Sequence, residues 1–210
     1  GSPRTLAFAA LGASLVLEVD PGHREARKML ARTGALLFQL LKASSRPDWT
    51  WFETVLGYDN PRLPEALLRA GQYSDNEEWI ATGIDALRWI NQMQISEQGY
   101  FRPIGSDGFG RAHDFLPFDQ QPLEAWAAID ACSTANEIVP SNEWSQHARL
   151  AMAWFHGAND RNISLADVAT GTCRDGITRQ GVNENRGAES ILAYQLGYYG
   201  YMRLANINGM

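Results

Sequence analysis

The chain of 210 residues is 45% hydrophobic and 20% charged, which is typical of a folded globular protein and excludes a disordered chain. Its formal net charge is -6 and its lysines and arginines are scattered, so no basic surface for nucleic acid or an anionic membrane is predicted. The longest apolar run near the start is too short to span a membrane, and only two cysteines occur, which favours the cytoplasm over an oxidising compartment.

Helical spacing of apolar residues recurs along nearly the whole chain, and no segment alternates as a half-buried strand does. The predicted fold class is therefore all-α, with at most short strand pairings inside the two long loops. Proline, acidic residues, glycine and asparagine mark the helix ends. In chain order, the predicted helices span residues 5–19, 24–43, 64–70, 77–94, 122–136, 141–157 and 186–205.

An internal repeat organises these helices. Segments 78–89 and 143–154 read EWIATGIDALRW and EWSQHARLAMAW, and Trp79 and Trp144 are separated by 65 residues, as are Trp89 and Trp154. Such a repeat predicts antiparallel helical hairpins of about sixty residues, which stack as an open arc or close into an α/α toroid. Trp79 and Trp144 should then occupy equivalent, largely buried positions in successive hairpins.

Polar and aromatic residues precede the first helix of three hairpins, in WFETVLGYDN, FDQQP and GVNENRGAES. Stacked hairpins would bring these helix entrances to one side. Carboxylates and amides pair with sugar hydroxyls, and aromatic rings pack on the apolar face of a pyranose, so a glycan site is predicted there. The predicted catalytic residues are Asp59, Asp119 and Glu53, and the predicted substrate-binding residues are Trp51, Tyr58, Asn60, Gln120, Gln121, Asp175, Asn183, Asn185 and Glu189.

Simpler roles stay open for several of these residues. Asp59 and Asp119 lie in matching YDN and FDQ settings that also suit helix N-capping, and Asp175 in GTCRDGI suits a tight turn. Glu53 lies among aromatic residues that would raise its pKa, although a solvated loop end fits as well. If the domain is an enzyme, the carboxyl groups of Asp59 and Asp119 should lie roughly 5 to 9.5 Å apart.

Metal and nucleotide chemistry receive little support from the sequence. The histidines lack the spacing of zinc ligands, and His113–Asp114 lacks the companion histidine that a metal phosphohydrolase needs. No glycine-rich phosphate loop follows a strand. Neither a metal nor another cofactor is therefore predicted.

A resemblance to a known family rests on WTWFETVLGYDNPRLPEALLRAG, FDQQPLEAWAAIDAC and GTCRDGITRQGVNENRGAESILAY. Together these segments resemble the C-terminal α-helical region that follows the catalytic domain in bacterial glycosyltransferases of the family 4 type. The resemblance covers most of the chain from Arg4 onward. In those proteins the nucleotide-sugar chemistry belongs to two preceding Rossmann-like domains, which this chain lacks, so transferase activity is not carried over to it.

The resemblance implies an α/α-toroid-like fold, which is also found among glycoside hydrolases, lyases and sugar epimerases. A closed ring of six hairpins would need further helices, so residues 1–210 are interpreted as a single α/α domain that is a fragment of a larger toroid or multidomain protein. Two function classes follow. The first is a carbohydrate-active or carbohydrate-binding domain, which as an enzyme would be glycoside hydrolase-like or part of a glycosyltransferase. The second is a non-catalytic scaffold for a glycosyltransferase catalytic domain.

Overall fold

The protein is mainly helical. A computed structural model describes residues 2–109 and 117–207, with side chains up to residue 205, and the predicted His113–Asp114 pair lies outside this part. The prediction of a mainly helical fold is confirmed, because every predicted helix is present. The seven helices of the described residues are α1 (Pro3–Val19), α2 (Arg24–Ser44), α3 (Arg62–Tyr73), α4 (Glu77–Met93), α5 (Pro122–Ile138), α6 (Asn142–Phe155) and α7 (Ala188–Ile207).

Helix α3 is longer than predicted and continues over Gly71. A Cβ atom at Gly71 would lie 2.8 Å from a side-chain atom of Ile80 in α4, so the glycine permits close helix packing here and does not end the helix. Leu68, one turn earlier in α3, lies against Gly83, one turn later in α4. These two contacts show that α3 and α4 run antiparallel, as the hairpin repeat predicts.

In the described residues, strand structure is confined to short antiparallel pairs and isolated bridges. β1 (Ala166–Asp167) pairs with β2 (Thr172–Cys173), and β3 (Gly176–Ile177) pairs with β4 (Val182–Asn183). Isolated bridges join Arg46 with Trp49, Ile95 with Phe101 and Gln120 with Ile177. Residues 2–109 and 117–207 thus contain no central sheet, which confirms the expectation of little β-structure.

The chain divides into two compact units. The first comprises Gly1–Thr54 and Pro61–Ile90, and the second comprises Val55–Asn60 and Asn91–Met210. In the first unit, α1 packs against α2 and α3, and α2 packs against α3. The interpretation of the chain as a single domain stays a prediction.

In the second unit, α5 packs against both α6 and α7. Gly197 of α7 lies against Trp126 and Ile129 of α5, and Gly200 lies against Ile129 and Asp130. The contacts advance in the same direction along both helices, so α5 and α7 run parallel. Their N-terminal ends, and the segments that precede them, therefore lie at the same end of this unit.

Trp79 and Trp144 occupy equivalent positions, since each is the third residue of its helix, α4 or α6. Trp144 is buried and its indole N–H donates to the Val139 carbonyl at 2.9 Å. Trp79 packs on Gly34 and Phe38 of α2 but stays half-buried. The equivalence is confirmed, whereas the expected burial holds fully only for Trp144.

Candidate functional site

Gln120, which precedes α5, is buried in the second unit and holds several of its segments together. Its main chain exchanges two hydrogen bonds with Ile177 of β3, at 2.9 and 3.0 Å. Its side-chain oxygen accepts from the indole N–H of Trp154 at 2.9 Å, and its amide nitrogen donates to Asp160 at 2.5 Å. Both ends of this amide thus bond within the protein, and they hold the FDQQP segment against α6 and β3.

Asp160 is the centre of the polar cluster that receives Gln120. The Tyr100 hydroxyl donates to its Oδ1 at 2.7 Å, and the Arg102 guanidinium donates to both carboxylate oxygens, at 2.5 and 3.0 Å. Burial alone would raise the pKa of Asp160, but the hydrogen bonds from Arg102, Tyr100 and Gln120 outweigh it and lower this pKa. The lowered pKa favours the ionised form of Asp160. Of the members of this cluster, only Gln120 was predicted from the sequence.

Asp119 directly precedes Gln120, and its side chain is half-buried. Burial, followed by the negative charge of Asp107, raises the pKa of the Asp119 carboxyl group. Asp107 is near because the main chain of Ser106 and Asp107 donates to the carbonyls of Asp119 and Phe118, both at 2.9 Å. Two carboxyl groups from separate segments therefore lie close together.

Two arginines complete this region. The Arg179 guanidinium, from the turn between β3 and β4, donates to Asp107 at 2.9 Å. The Arg161 guanidinium lies 5.2 Å from the centre of the Phe118 ring and donates to the carbonyls of Thr178 and Arg179. We call Asp107, Phe118, Asp119, Arg161 and Arg179 the Asp119 site.

The predicted capping role does not account for FDQQP. Gln121 is the N-cap residue of α5, but its side chain makes no capping hydrogen bond. Gln121 lies two residues after Asp119 and is half-buried. The polar side chains of this helix entrance thus serve the cluster and the Asp119 site more than they serve the helix end.

Asp59, the proposed catalytic partner of Asp119, is buried. Its main-chain N–H donates to the Glu124 carboxylate of α5 at 2.5 Å, and its φ of 54° is unusual for a residue other than glycine. The Asn60 amide bonds to both main-chain groups of Gly57, at 3.1 and 2.6 Å, and so closes the turn before α3. The Asp59–Asp119 carboxyl separation stays a prediction.

The remaining residues of the first predicted entrance differ in their exposure. Trp51 is fully buried in the first unit and stacks on Trp89 with 5.6 Å between ring centres. Glu53, in the same unit, forms an ion pair with Arg4 at 2.5 Å. Tyr58, in the second unit, is exposed. Of these three side chains, Tyr58 is therefore the one most accessible to a ligand.

The entrance to α7 is organised by Asp175. Its Oδ1 accepts from the Gly187 N–H at 2.7 Å, and its own N–H donates to the Asn185 carbonyl at 2.9 Å. Asp175 lies between β2 and β3 and bonds to residues far along the chain, so it does not form the tight turn that the sequence suggested. Asn183 is half-buried in β4 and pairs with Gly176, next to the Ile177 that binds Gln120. Asn185 and Glu189 are exposed. The second unit thus brings the FDQQP segment and the hairpin that contains Asn183 together.

Neither a metal cluster nor a membrane-spanning helix is evident in the described part of the chain. Among residues 2–109 and 117–207, no three His, Cys, Asp or Glu side chains are grouped so as to hold a metal ion. None of the helices in these ranges is both long and apolar enough to cross a membrane. The chain shows no significant match to any protein-family model or to any curated protein.

Proposed function

We propose that the chain is a carbohydrate-active α/α domain and that its second unit binds a glycan at the Asp119 site. The observation that supports this proposal is the pair of neighbouring carboxyl groups in unequal environments. Asp119 is half-buried with a raised pKa, whereas Asp107 is exposed and paired with Arg179. Two carboxyl groups with different environments can divide the acid and base roles of glycoside hydrolysis.

In this proposal Asp119 is the general acid, which protonates the glycosidic oxygen as the bond breaks. Asp107 is the second carboxylate, which activates water or stabilises the positive charge on the sugar. The amides of Gln121 and Asn183, both half-buried nearby, would pair with sugar hydroxyls. Gln120 acts as a positioning residue, because its bonds to Asp160, Trp154 and Ile177 hold the residue next to it.

The parallel arrangement of α5 and α7 supports the proposed toroid-like architecture. In an α/α toroid the first helices of successive hairpins run parallel and present the same ends to a central cavity. Gly197 and Gly200 of α7 allow this close parallel contact with α5. The resemblance to glycosyltransferases of the family 4 type adds the proposal that the domain works beside such a catalytic domain.

A non-catalytic scaffold is the second candidate, and one surface favours it. Leu192, Leu196 and Tyr199 are exposed on α7 at helical spacing. A continuous apolar stripe of this kind is typical of a protein contact, and the resemblance names a glycosyltransferase catalytic domain as the partner. A chain that binds no glycan but binds such a domain would support this second candidate.

The test combines ligand binding with turnover. The parent protein is screened against neutral oligosaccharides by thermal shift, and ligands that raise the melting temperature are then assayed for hydrolysis. Asp119→Asn should keep the thermal shift but lose activity by about 100-fold or more, because it removes the proton donor. Activity of the parent should fall as the pH rises through the raised pKa of Asp119, since the acid must be protonated to act.

Asp48→Asn is the matched control, because Asp48 is an exposed aspartate of the first unit. It should behave as the parent in both assays. Ligand stabilisation without hydrolysis would support a binding domain and remove the catalytic roles. If no oligosaccharide stabilises the parent, or if Asp119→Asn equals Asp48→Asn in binding and rate, the Asp119 site is not a glycan site.

A further inference from the structure

A polar groove of the second unit lies outside the Asp119 site. The segment 163–169, together with Arg174 and Arg186, lines a groove of about 530 Å³. This volume lies within the range of about 300–1,000 Å³ that small-molecule sites occupy. We call it the two-arginine groove, and none of its lining residues belongs to the set predicted from the sequence.

Arg174 is fixed by contacts that leave part of its guanidinium available. Its Nη1 donates to the Ser164 carbonyl at 2.9 Å, and its Nε lies 2.8 Å from the Glu184 carboxylate. Within the described residues, Nη2 has no such contact. The guanidinium is therefore held in place while one of its NH₂ groups remains free for a ligand.

Arg186, which precedes α7, is fixed in a similar way. Its Nη1 donates to the Thr172 hydroxyl at 2.5 Å and lies 3.9 Å from the Asp167 carboxylate. No described residue bonds to its Nε or Nη2, and the side chain is 41% exposed. The edge formed by Nε and Nη2 is the edge that binds a carboxylate or a phosphate through two parallel hydrogen bonds.

Asp167 gives the groove a fixed negative charge as well. Its Oδ1 accepts from the N–H groups of Ala169 and Thr170, at 3.0 and 3.3 Å, and so closes the turn between β1 and β2. Hydrogen bonds from Thr170, first from its side chain, lower the pKa of Asp167. An ionised Asp167 accepts hydrogen bonds from hydroxyl groups and disfavours a ligand that is anionic throughout.

Apolar side chains border the charged groups. Ile163 and Val168 line the groove and are both exposed, Val168 by 74%. They provide the kind of surface on which the apolar face of a sugar ring packs, and an inorganic anion would not use it. The groove therefore offers the free guanidinium edge of Arg186, one free NH₂ group of Arg174, a hydrogen-bond acceptor for hydroxyl groups and an apolar border.

From this combination we infer that the two-arginine groove binds a sugar with one anionic substituent, either a carboxylate or a phosphate. The anion contacts Arg174 and Arg186, the ring packs on Ile163 and Val168, and a hydroxyl group donates to Asp167. The inference goes beyond the proposed function, because it uses no residue of the Asp119 site. It assigns binding, and no catalysed reaction, to the groove.

The test is calorimetric titration of the parent with glucuronic acid, glucose 1-phosphate, glucose and inorganic phosphate. One or both anionic sugars should bind, and glucose and phosphate should bind more weakly. The two anionic sugars separate carboxylate from phosphate recognition. If neither binds, or if inorganic phosphate binds as tightly as both, the inference is overturned.

Two arginine variants test whether the anionic sugar binds in the two-arginine groove. Arg186→Gln should weaken binding of the anionic sugar by about tenfold or more, because it removes the charged guanidinium edge formed by Nε and Nη2. Arg149→Gln, an equal change of charge on the exposed face of α6, should leave affinity unchanged. If both variants lose affinity equally, the anionic sugar is attracted only by positive charge in general, and the groove is not a specific site. Melting temperatures of the free variants show whether each is folded.

Asp119→Asn separates this inference from the proposed function. It should not alter binding of the anionic sugar to the two-arginine groove. If instead Asp119→Asn abolishes that binding and Arg186→Gln has no effect, the ligand occupies the Asp119 site and the groove is not a binding site. Hydrolysis of a neutral oligosaccharide that is lost in Asp119→Asn but kept in Arg186→Gln would support the proposed function whatever happens at the groove.

Discussion

Replacement of Asp160 by alanine should destabilise the second unit strongly. The Asp160 side chain is 11% exposed and accepts four hydrogen bonds, two from Arg102 and one each from Tyr100 and Gln120. Removing one member of a buried ion pair costs about 3–5 kcal/mol. Arg102 is 31% exposed and can recover some hydration, so we expect a loss of about 2–4 kcal/mol in the free energy of unfolding.

Urea unfolding at neutral pH measures this loss, and Asp107→Ala is the matched control. Asp107 also pairs with an arginine, but this pair is 45% and 55% exposed, and its removal should cost at most about 1 kcal/mol. A loss for Asp160→Ala no larger than that for Asp107→Ala would refute the reasoning. It would mean that the cluster contributes little to stability despite its burial.

The pH dependence of the same variant has a definite sign. Because the pKa of Asp160 is lowered in the folded state, its stabilising contribution is fully present above the unfolded pKa of about 3.9. It is lost as the pH falls through the lowered folded value. The difference in unfolding free energy between the parent and Asp160→Ala should therefore shrink below about pH 4.

Two further predictions concern stability. Burial lowers the pKa of His147 to about 4, so the unfolded chain takes up a proton below about pH 6.5 that the folded chain does not. The free energy of unfolding should thus fall by up to about 3 kcal/mol between these pH values, and an unchanged pH dependence in His147→Leu would contradict this. An added methyl group at Gly34 would lie 2.7 Å from the Trp79 ring, whereas one at Gly12 meets no atom within 4 Å. Thermal unfolding should show that Gly34→Ala destabilises by about 1–3 kcal/mol and Gly12→Ala stabilises by about 0.5–1 kcal/mol, and the reverse order would exclude this account of the packing.

The helices could be predicted because their information is local. Apolar periodicity and end signals depend on residues within a few turns, so even the starts of α2, α4 and α5 were predicted correctly. The end of α3 was not, because Gly71 has the same local pattern whether it ends a helix or permits packing on Ile80. Only the tertiary contact separates these two cases.

The candidate site was predictable only in part. Asp119 stood out through its neighbouring amides, but the buried role of Gln120 depends on partners far along the chain. Tyr100, Arg102 and Asp160 lie outside the helices, where no periodicity marks them as members of one cluster. The constant helix spacing of the repeat predicted a shared end for the entrances of α5 and α7, whereas the loops that supply Asp107 and Arg161 follow no repeat.

The pairing of Gln120 with Ile177 links the Asp119 site to local opening of the protein. These residues are separated in sequence by the whole of α5 and α6, so their two hydrogen bonds close a long loop and are favoured only after those helices have packed. If the β3–β4 hairpin detached, the helices would persist while Arg179 left Asp107. A ligand held by both sides would slow amide hydrogen exchange at Gln120 and Ile177, which makes these two amides sensitive reporters of occupancy.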